Sequence, residues 1–178
     1  MWNIFSSLFA CAGAPESAST HNEPKCFRSQ CIFCDVSTAN GFDVLWEDGD
    51  FIAFRDHNPS TKFHFLVIPK QHHESVKTLT ASDVDMVQKL VAIGHSTLAD
   101  HGVEKEQRRL GFHIPPYTSV NHIHLHAQGL PFKSTFRKWK YPIVPGSKDR
   151  DKGLSWFVEA EQAVQILSKG RKIGILPC

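Results

Sequence analysis

The spacing of apolar residues along this chain changes period several times, and each change marks an element. Val44-Leu45-Trp46 and Phe51-Ile52-Ala53-Phe54 are short apolar runs flanking Asp48-Gly49-Asp50, a hairpin signal. Phe63 to Ile68 predicts a third strand, ended by Pro69. After Ser82, which reads as an N-cap, Val84, Val87, Leu90, Val91 and Leu98 recur at helical spacing until Gly102. Leu110 to Ile114 predicts a fourth strand, stopped by Pro115-Pro116, and Asn121 to Gln128 predicts a fifth. Ser155 reads as the cap of a second helix that presents Phe157, Ala160, Val164 and Leu167 until Gly170 closes it. Strands joined by short turns, with one helix inserted between the third and fourth, make an α+β domain. Its expected form is a five-stranded antiparallel sheet with the inserted helix and a C-terminal helix.

Residues from about 12 to 30 are rich in Ala, Ser, Glu, Asn and Pro and show no period, which reads as a linker. The expected organisation is a flexible N-terminal tail and linker over 1–30, the domain over 31–170 and a C-terminal tail over 171–178. Within the tail, Trp2, Phe5 and Phe9 would share one face of a short helix. That leaves weak docking on a membrane or a partner open beside the simpler reading of a floppy segment. The apolar start with Ala10-Cys11-Ala12 resembles a signal peptide, but no Lys or Arg precedes it. No stretch reaches the 18 or so apolar residues of a membrane span.

With 178 residues, the chain fits one domain with a core of useful size. A formal net charge of +2 gives no electrostatic case for a nucleic-acid partner. Five cysteines at irregular spacing form no secreted disulfide framework, so a reducing compartment is expected: cytoplasmic, with the nucleus also open. The stretch Lys133 to Lys140 is basic with interleaved aromatics. It reads as a solvated loop, with contact to a phosphate backbone as the sharper alternative.

Candidate chemistry is concentrated in His122-Ile-His124-Leu-His126. A strand puts residues i, i+2 and i+4 on one face, so three imidazoles would line up there while Ile123 and Leu125 enter the core. Three adjacent rings cannot all be charged cheaply, so at least one stays neutral and nucleophilic near pH 7. Such a ring, beside others that donate hydrogen bonds, suits attack on a phosphoanhydride or phosphoramidate. A half-exposed polar strand face and a three-histidine metal site remain the alternatives. Cys31-Ile-Phe-Cys34 likewise reads either as ordinary packing or as half of a metal site.

His122-Ile-His124-Leu-His126-Ala-Gln128 resembles the signature of the histidine triad superfamily, His-φ-His-φ-His-φ-φ with φ apolar, departing only at polar Gln128. Cys31-Ile32-Phe33-Cys34, Ala53-Phe54-Arg55-Asp56 and Phe63-His64-Phe65-Leu66-Val67-Ile68-Pro69-Lys70-Gln71-His72 fall at family positions in family order, so the resemblance spans roughly residues 31 to 130. Gly111-Phe112-His113-Ile114-Pro115-Pro116, leading into Ser119-Val120-Asn121-His122, resembles the branch of histidine triad nucleotide-binding protein 3. The aprataxin branch is next closest.

The resemblance implies a nucleotide-binding hydrolase that releases AMP from adenosine phosphoramidates or acyl-adenylates through a covalent intermediate. It implies His124 as the nucleophile, His126 and His64 holding the α-phosphate, and Ser119 assisting the leaving group. Ile32 and Phe33 would wall the base pocket and Asp56 would bind the ribose. His113 stands where many relatives carry an asparagine near the phosphate. The resemblance also implies a structural zinc on Cys31, Cys34, His72 and His122, with His73 as a stand-in for His72, no organic cofactor, and a homodimer with continued sheets. An AMP-binding regulator with little turnover and an aprataxin-like remover of AMP from nucleic-acid ends are the alternatives. A zinc-finger spacing that would support the latter does not follow the basic stretch.

Overall fold

The structure is a computed structural model that describes residues 31–178. The expected N-terminal tail and linker, with its apolar Trp2, Phe5 and Phe9, lies outside the described residues. Strands β1 (Val44–Glu47), β2 (Phe51–Arg55), β3 (Thr61–Pro69), β4 (Arg108–His113), β5 (Leu125–Phe132) and β8 (Phe157–Glu159) form one antiparallel sheet in the order β1-β2-β3-β5-β4-β8. Two further short strands, β6 (Pro145–Ser147) and β7 (Arg150–Lys152), pair separately. The hairpin between β1 and β2 closes as its sequence demands: the Asp48 carboxylate accepts from the backbone N–H groups of Asp50 and Phe51 at 2.8 and 2.7 Å.

One face of the sheet is covered by α1 (Val84–Asp100) and α3 (Ala160–Ser168). Val87, Leu90 and Leu98 of α1 meet Phe65, Val67, Leu110, Leu125 and Ala127 of the strands in a single buried cluster. Gly94 lets the helix lie close, because a Cβ there would stand 2.9 Å from Leu110 and 3.2 Å from Leu125. The opposite face carries a smaller apolar cluster of Phe33, Ile52, Phe54, Leu66 and Ile68 and, beside it, the histidines.

The expected α+β class holds, and several details differ. The sheet has six strands instead of five. Residues 157–159, expected inside the second helix, pair with β4 as Gly111↔Glu159, Phe112↔Val158 and His113↔Phe157, so α3 begins only at Ala160. A Cβ on Gly111 would sit 2.4 Å from both the Phe157 ring and the Val158 carbonyl oxygen, so this close pairing depends on the glycine. A reciprocal Thr80–Asp83 capping box opens a 3-10 turn, Ala81–Asp83, that leads into α1, so Ser82 lies inside this turn and is not the cap. Strand β5 starts at Leu125, not Asn121, because the preceding segment is held by the loop after β3, where Ile123 N–H donates to the His73 carbonyl at 2.7 Å.

The basic stretch expected as a loop contains a short helix, α2 (Thr135–Trp139). Residues 171–178, set apart in the sequence as a tail, pack back onto the domain. Ile173 enters the main core, Ser155 N–H donates to the Ile175 carbonyl, and fully buried Lys152 donates its ammonium to the same carbonyl at 3.1 Å. No described helix is long and apolar enough to cross a membrane.

Candidate active site

On the sheet face away from α1, three strands bring His64 (β3), His126 (β5) and His113 (end of β4) into line. His64 Nε2 lies 3.0 Å from His126 Nδ1, and His126 Nε2 lies 2.9 Å from His113 Nδ1. The far nitrogens are capped by backbone: Ser60 N–H donates to His64 Nδ1 at 3.1 Å, and His113 Nε2 lies 2.8 Å from the Lys140 carbonyl. These end groups decide where the hydrogens go. A carbonyl only accepts, so His113 carries its hydrogen on Nε2 and accepts on Nδ1 from His126 Nε2–H. His126 then accepts on Nδ1 from His64 Nε2–H, which leaves His64 Nδ1 to accept from Ser60. Both ends demand the same direction, so three neutral rings form one polarised row of donors and acceptors.

Burial favours the neutral form throughout. It pushes His64 and His113 down to about 4, with the Asp56 carboxylate opposing the shift at both, and holds His126 well below its ordinary value. Asp56 Oδ2 stands 3.3 Å from His64 Nδ1, a contact that becomes an ion pair only when His64 is charged. Tyr141 packs against this row, its ring centroid 5.3 Å from His126, and its hydroxyl accepts from Ser60 at 3.1 Å.

His124 is arranged differently. Its Nδ1 is 2.7 Å from the carbonyl of His122, which can only accept, so the hydrogen is on Nδ1 and Nε2 presents a lone pair. Burial lowers its basicity, which keeps that lone pair unprotonated below the usual imidazole range. Phe33 meets the ring edge-on at 5.5 Å on one side, and His126 lies 5.0 Å away on the other. A cavity of about 420 Å³ opens over the pair and is lined by Asp56, His113 and Ser119.

The structure therefore gathers His64, His113, His124, His126, Ser119, Asp56 and Phe33 in one place. Ile32, 60% exposed, does not line the cavity over His124 and His126 but an adjoining hollow that it shares with Cys31 and Ser119. His126 and His64 are also not simply available to a phosphate, since every nitrogen of both rings is already engaged.

The second cluster lies at the other end of the triad. The ligand-type atoms of Cys31, Cys34, His72 and His122 all lie within 4.8 Å of one another. Cys31 Sγ to His122 Nδ1 is 3.5 Å, Cys34 Sγ to His72 Nδ1 is 3.2 Å, and Cys34 Sγ to His122 Nδ1 is 3.6 Å. Zinc with Zn–S of about 2.3 Å and Zn–N of about 2.0–2.1 Å has tetrahedral edges of roughly 3.3–3.8 Å, so this donor set fits it. His122 Nε2–H donates to the Pro69 carbonyl at 2.9 Å, which leaves Nδ1 unprotonated and facing the two thiols. His73 has no place in the set.

Sequence reasoning missed Ser60, Lys140 and Tyr141. The first two meet the histidine row through backbone atoms, which carry no sequence signal. Tyr141 lies 15 residues beyond the triad, outside the span of the resemblance.

Comparison with known proteins shows the family and the fold. The family model described as scavenger mRNA decapping enzyme C-term binding matches residues 30–141, more than half of the chain. The adenosine 5'-monophosphoramidase HINT3 of Danio rerio is 37% identical over 144 residues, covering 79% of this chain and 84% of the relative. The bifunctional adenosine 5'-phosphosulfate phosphorylase/adenylylsulfatase HINT4 of Arabidopsis thaliana is 34% identical, covering 76% of this chain and 89% of the relative. Among solved structures, a HIT family hydrolase from Legionella pneumophila superposes with a TM-score of 0.54 at 27% identity, covering 60% of this chain and 97% of that one.

Proposed function

The chain belongs to the family described as scavenger mRNA decapping enzyme C-term binding, the histidine triad proteins, and from that premise we propose that it releases AMP from adenosine phosphoramidates or acyl-adenylates through a covalent AMP on His124. The observation that carries the reading is the His124 ring, with Nδ1–H tied to the His122 carbonyl and the Nε2 lone pair directed away from it. The name of the Danio rerio relative points to adenosine phosphoramidates, and that of the Arabidopsis thaliana relative to a different adenylate conjugate, adenosine 5'-phosphosulfate.

In the first step, Nε2 attacks the α-phosphorus and a P–N(His) bond forms. The bond to the leaving group breaks: a carboxylate departs with the electron pair alone, and an amine departs with the pair and a proton relayed from solvent through the Ser119 hydroxyl. Ser119 supplies the hydrogen bond that eases departure. His126 reaches a phosphate oxygen by turning its Nε2–H from His113, and His64 acts behind it by fixing which nitrogen of His126 donates. Phe33 and Asp56 receive the nucleoside. In the second step, water attacks phosphorus, the P–N(His) bond breaks with its electron pair returning to His124 Nε2, AMP leaves and the water's proton passes to solvent.

Cys31, Cys34, His72 and His122 would hold a structural zinc, which ties the start of the domain to the loop after β3 and to the triad. A homodimer with a continued sheet would have to use β1 or β8, since β4 is already paired on both sides.

The test is AMP release from adenosine 5'-phosphoramidate, followed beside diadenosine triphosphate. An amine leaves readily once protonated, and among the described residues Lys140 is the one Lys or Arg that lines the cavity, too little to cradle a long polyphosphate. The phosphoramidate is therefore expected to be preferred by at least about tenfold in kcat/KM, roughly 1.4 kcal/mol. Absence of AMP release from phosphoramidates and acyl-adenylates alike would overturn the reading.

A further inference from the structure

The catalytic cavity has a floor and a rim of different chemistry. His124 and His126 form the floor and are almost wholly buried. In-line displacement sends the leaving group away from His124 Nε2, toward the rim. On the Ser119 side that rim is aromatic. Tyr117, two residues before Ser119, is 56% exposed, and its ring lies against Trp156 with centroids 5.5 Å apart and planes at 34°. Beside them stands Lys140, whose carbonyl caps the histidine row and whose charge is felt at His113. Among the described residues, Lys140 makes no ion pair, and Asp56 is the only carboxylate that lines the cavity.

Resting on the reading above, we propose that Tyr117, Trp156 and Lys140 form a leaving-group subsite that selects adenylates whose leaving group carries an aromatic ring together with an anionic group. The exposed face of Tyr117, backed by Trp156, offers a flat apolar surface for ring stacking. The unpaired ammonium of Lys140 meets the negative charge. Asp56, the one carboxylate that lines the cavity among the described residues, disfavours an anionic group on its own side.

The probes are four AMP phosphoramidates, made with ammonia, alanine, phenylalanine and phenylalanine amide. Phenylalanine is expected to exceed alanine at least about tenfold in kcat/KM, because the reacting nitrogen is alike and only the ring differs. Tyr117→Ala should remove that preference and Tyr117→Phe should keep it. Lys140→Gln should lower the ratio of phenylalanine to phenylalanine amide about fivefold, a comparison in which the intrinsic reactivity of the two conjugates cancels. Equal rates for alanine and phenylalanine, or an equal loss on all four conjugates in Tyr117→Ala, would overturn the subsite. Affinities of the same conjugates for the His124→Ala protein, measured by calorimetry, must follow the same order. A chain that bound them in this order without turnover would retain the subsite while refuting the hydrolytic reading.

Discussion

Two clusters of histidine flank His124, and they use the same side chain in opposite ways. In the row His64–His126–His113, each ring gives one nitrogen to each neighbour and backbone closes both ends, so no lone pair is left over. At Cys31, Cys34, His72 and His122, the Pro69 carbonyl takes the outer hydrogen of His122, and its inner lone pair points at a common centre with the two thiols and His72. The partner of the second nitrogen, more than the presence of histidine, decides whether a ring relays, binds a metal or attacks. His122 joins the two regions: its ring belongs to the cysteine cluster while its carbonyl sets the tautomer of His124.

The largest effect expected separates the attacking ring from both clusters. His124→Ala should lower AMP release by at least about 10⁴-fold while AMP affinity stays within a few-fold, because the surfaces around Phe33 and Asp56 are untouched. Steady-state rates and calorimetry check this, and a variant that keeps a tenth of the wild-type rate refutes the assignment.

Next comes the cysteine cluster, where the effect should fall on folding. About one zinc per chain should copurify, and the double variant Cys31→Ser, Cys34→Ser should lose it and melt at least about 10 °C lower. Metal analysis of protein purified without chelators decides the first part and thermal unfolding the second.

The histidine row should instead show itself in pH dependence. His64 and His113 have folded values near 4, below the unfolded value of about 6.5, so between these limits the unfolded chain binds more protons. Their contribution to stability is therefore complete above pH 6.5 and is lost as pH falls toward 4. The slope is about 1.4 kcal/mol per pH unit for each group. Denaturation midpoints measured across that range should fall with pH, and His113→Asn should remove one proton's share of the slope. Loss of turnover in acid should be centred below the ordinary imidazole value near 6.5, because burial lowers His124. A loss of activity centred on pH 6.5 contradicts the lowered value of His124.

The smallest effect belongs to Ser119→Ala. It should slow conjugates with a poorly leaving amine by about tenfold and leave acyl-adenylates nearly unaffected, since a carboxylate departs without a proton. Equal slowing of both classes would remove Ser119 from leaving-group assistance.

Much of this arrangement is legible in sequence, for identifiable reasons. The near-continuous apolar run Phe63–Ile68 reports a strand buried on both faces and the 3.6-residue period over Val84–Leu98 a helix buried on one, and those elements stand where expected. Strand β8 was hidden because three residues show no period, and Phe157 also falls at helical spacing from Ala160 and Val164. The sequence left His72 and His73 as alternatives, since adjacent residues on a loop differ only in direction; the loop turns His72 toward the thiols. The row through His113 could not be read, because its polarity is set by the Ser60 amide and the Lys140 carbonyl. Gln128, singled out as polar at an apolar family position, is fully buried beside His64 with no partner for its amide among the described residues, and nothing in the structure explains it.

The close approach at Gly111 has a use beyond this chain. Any larger residue there would collide with Phe157 and the Val158 carbonyl, and β8 would have to leave. A sheet without β8 exposes the β4 edge as an unsatisfied ladder, which another polypeptide is then free to complete. One glycine codon thus works as a legible label for sorting related sequences. Those that keep it can seal this border with their own C-terminal segment, and those with a bulky substitute must leave the border to a neighbour.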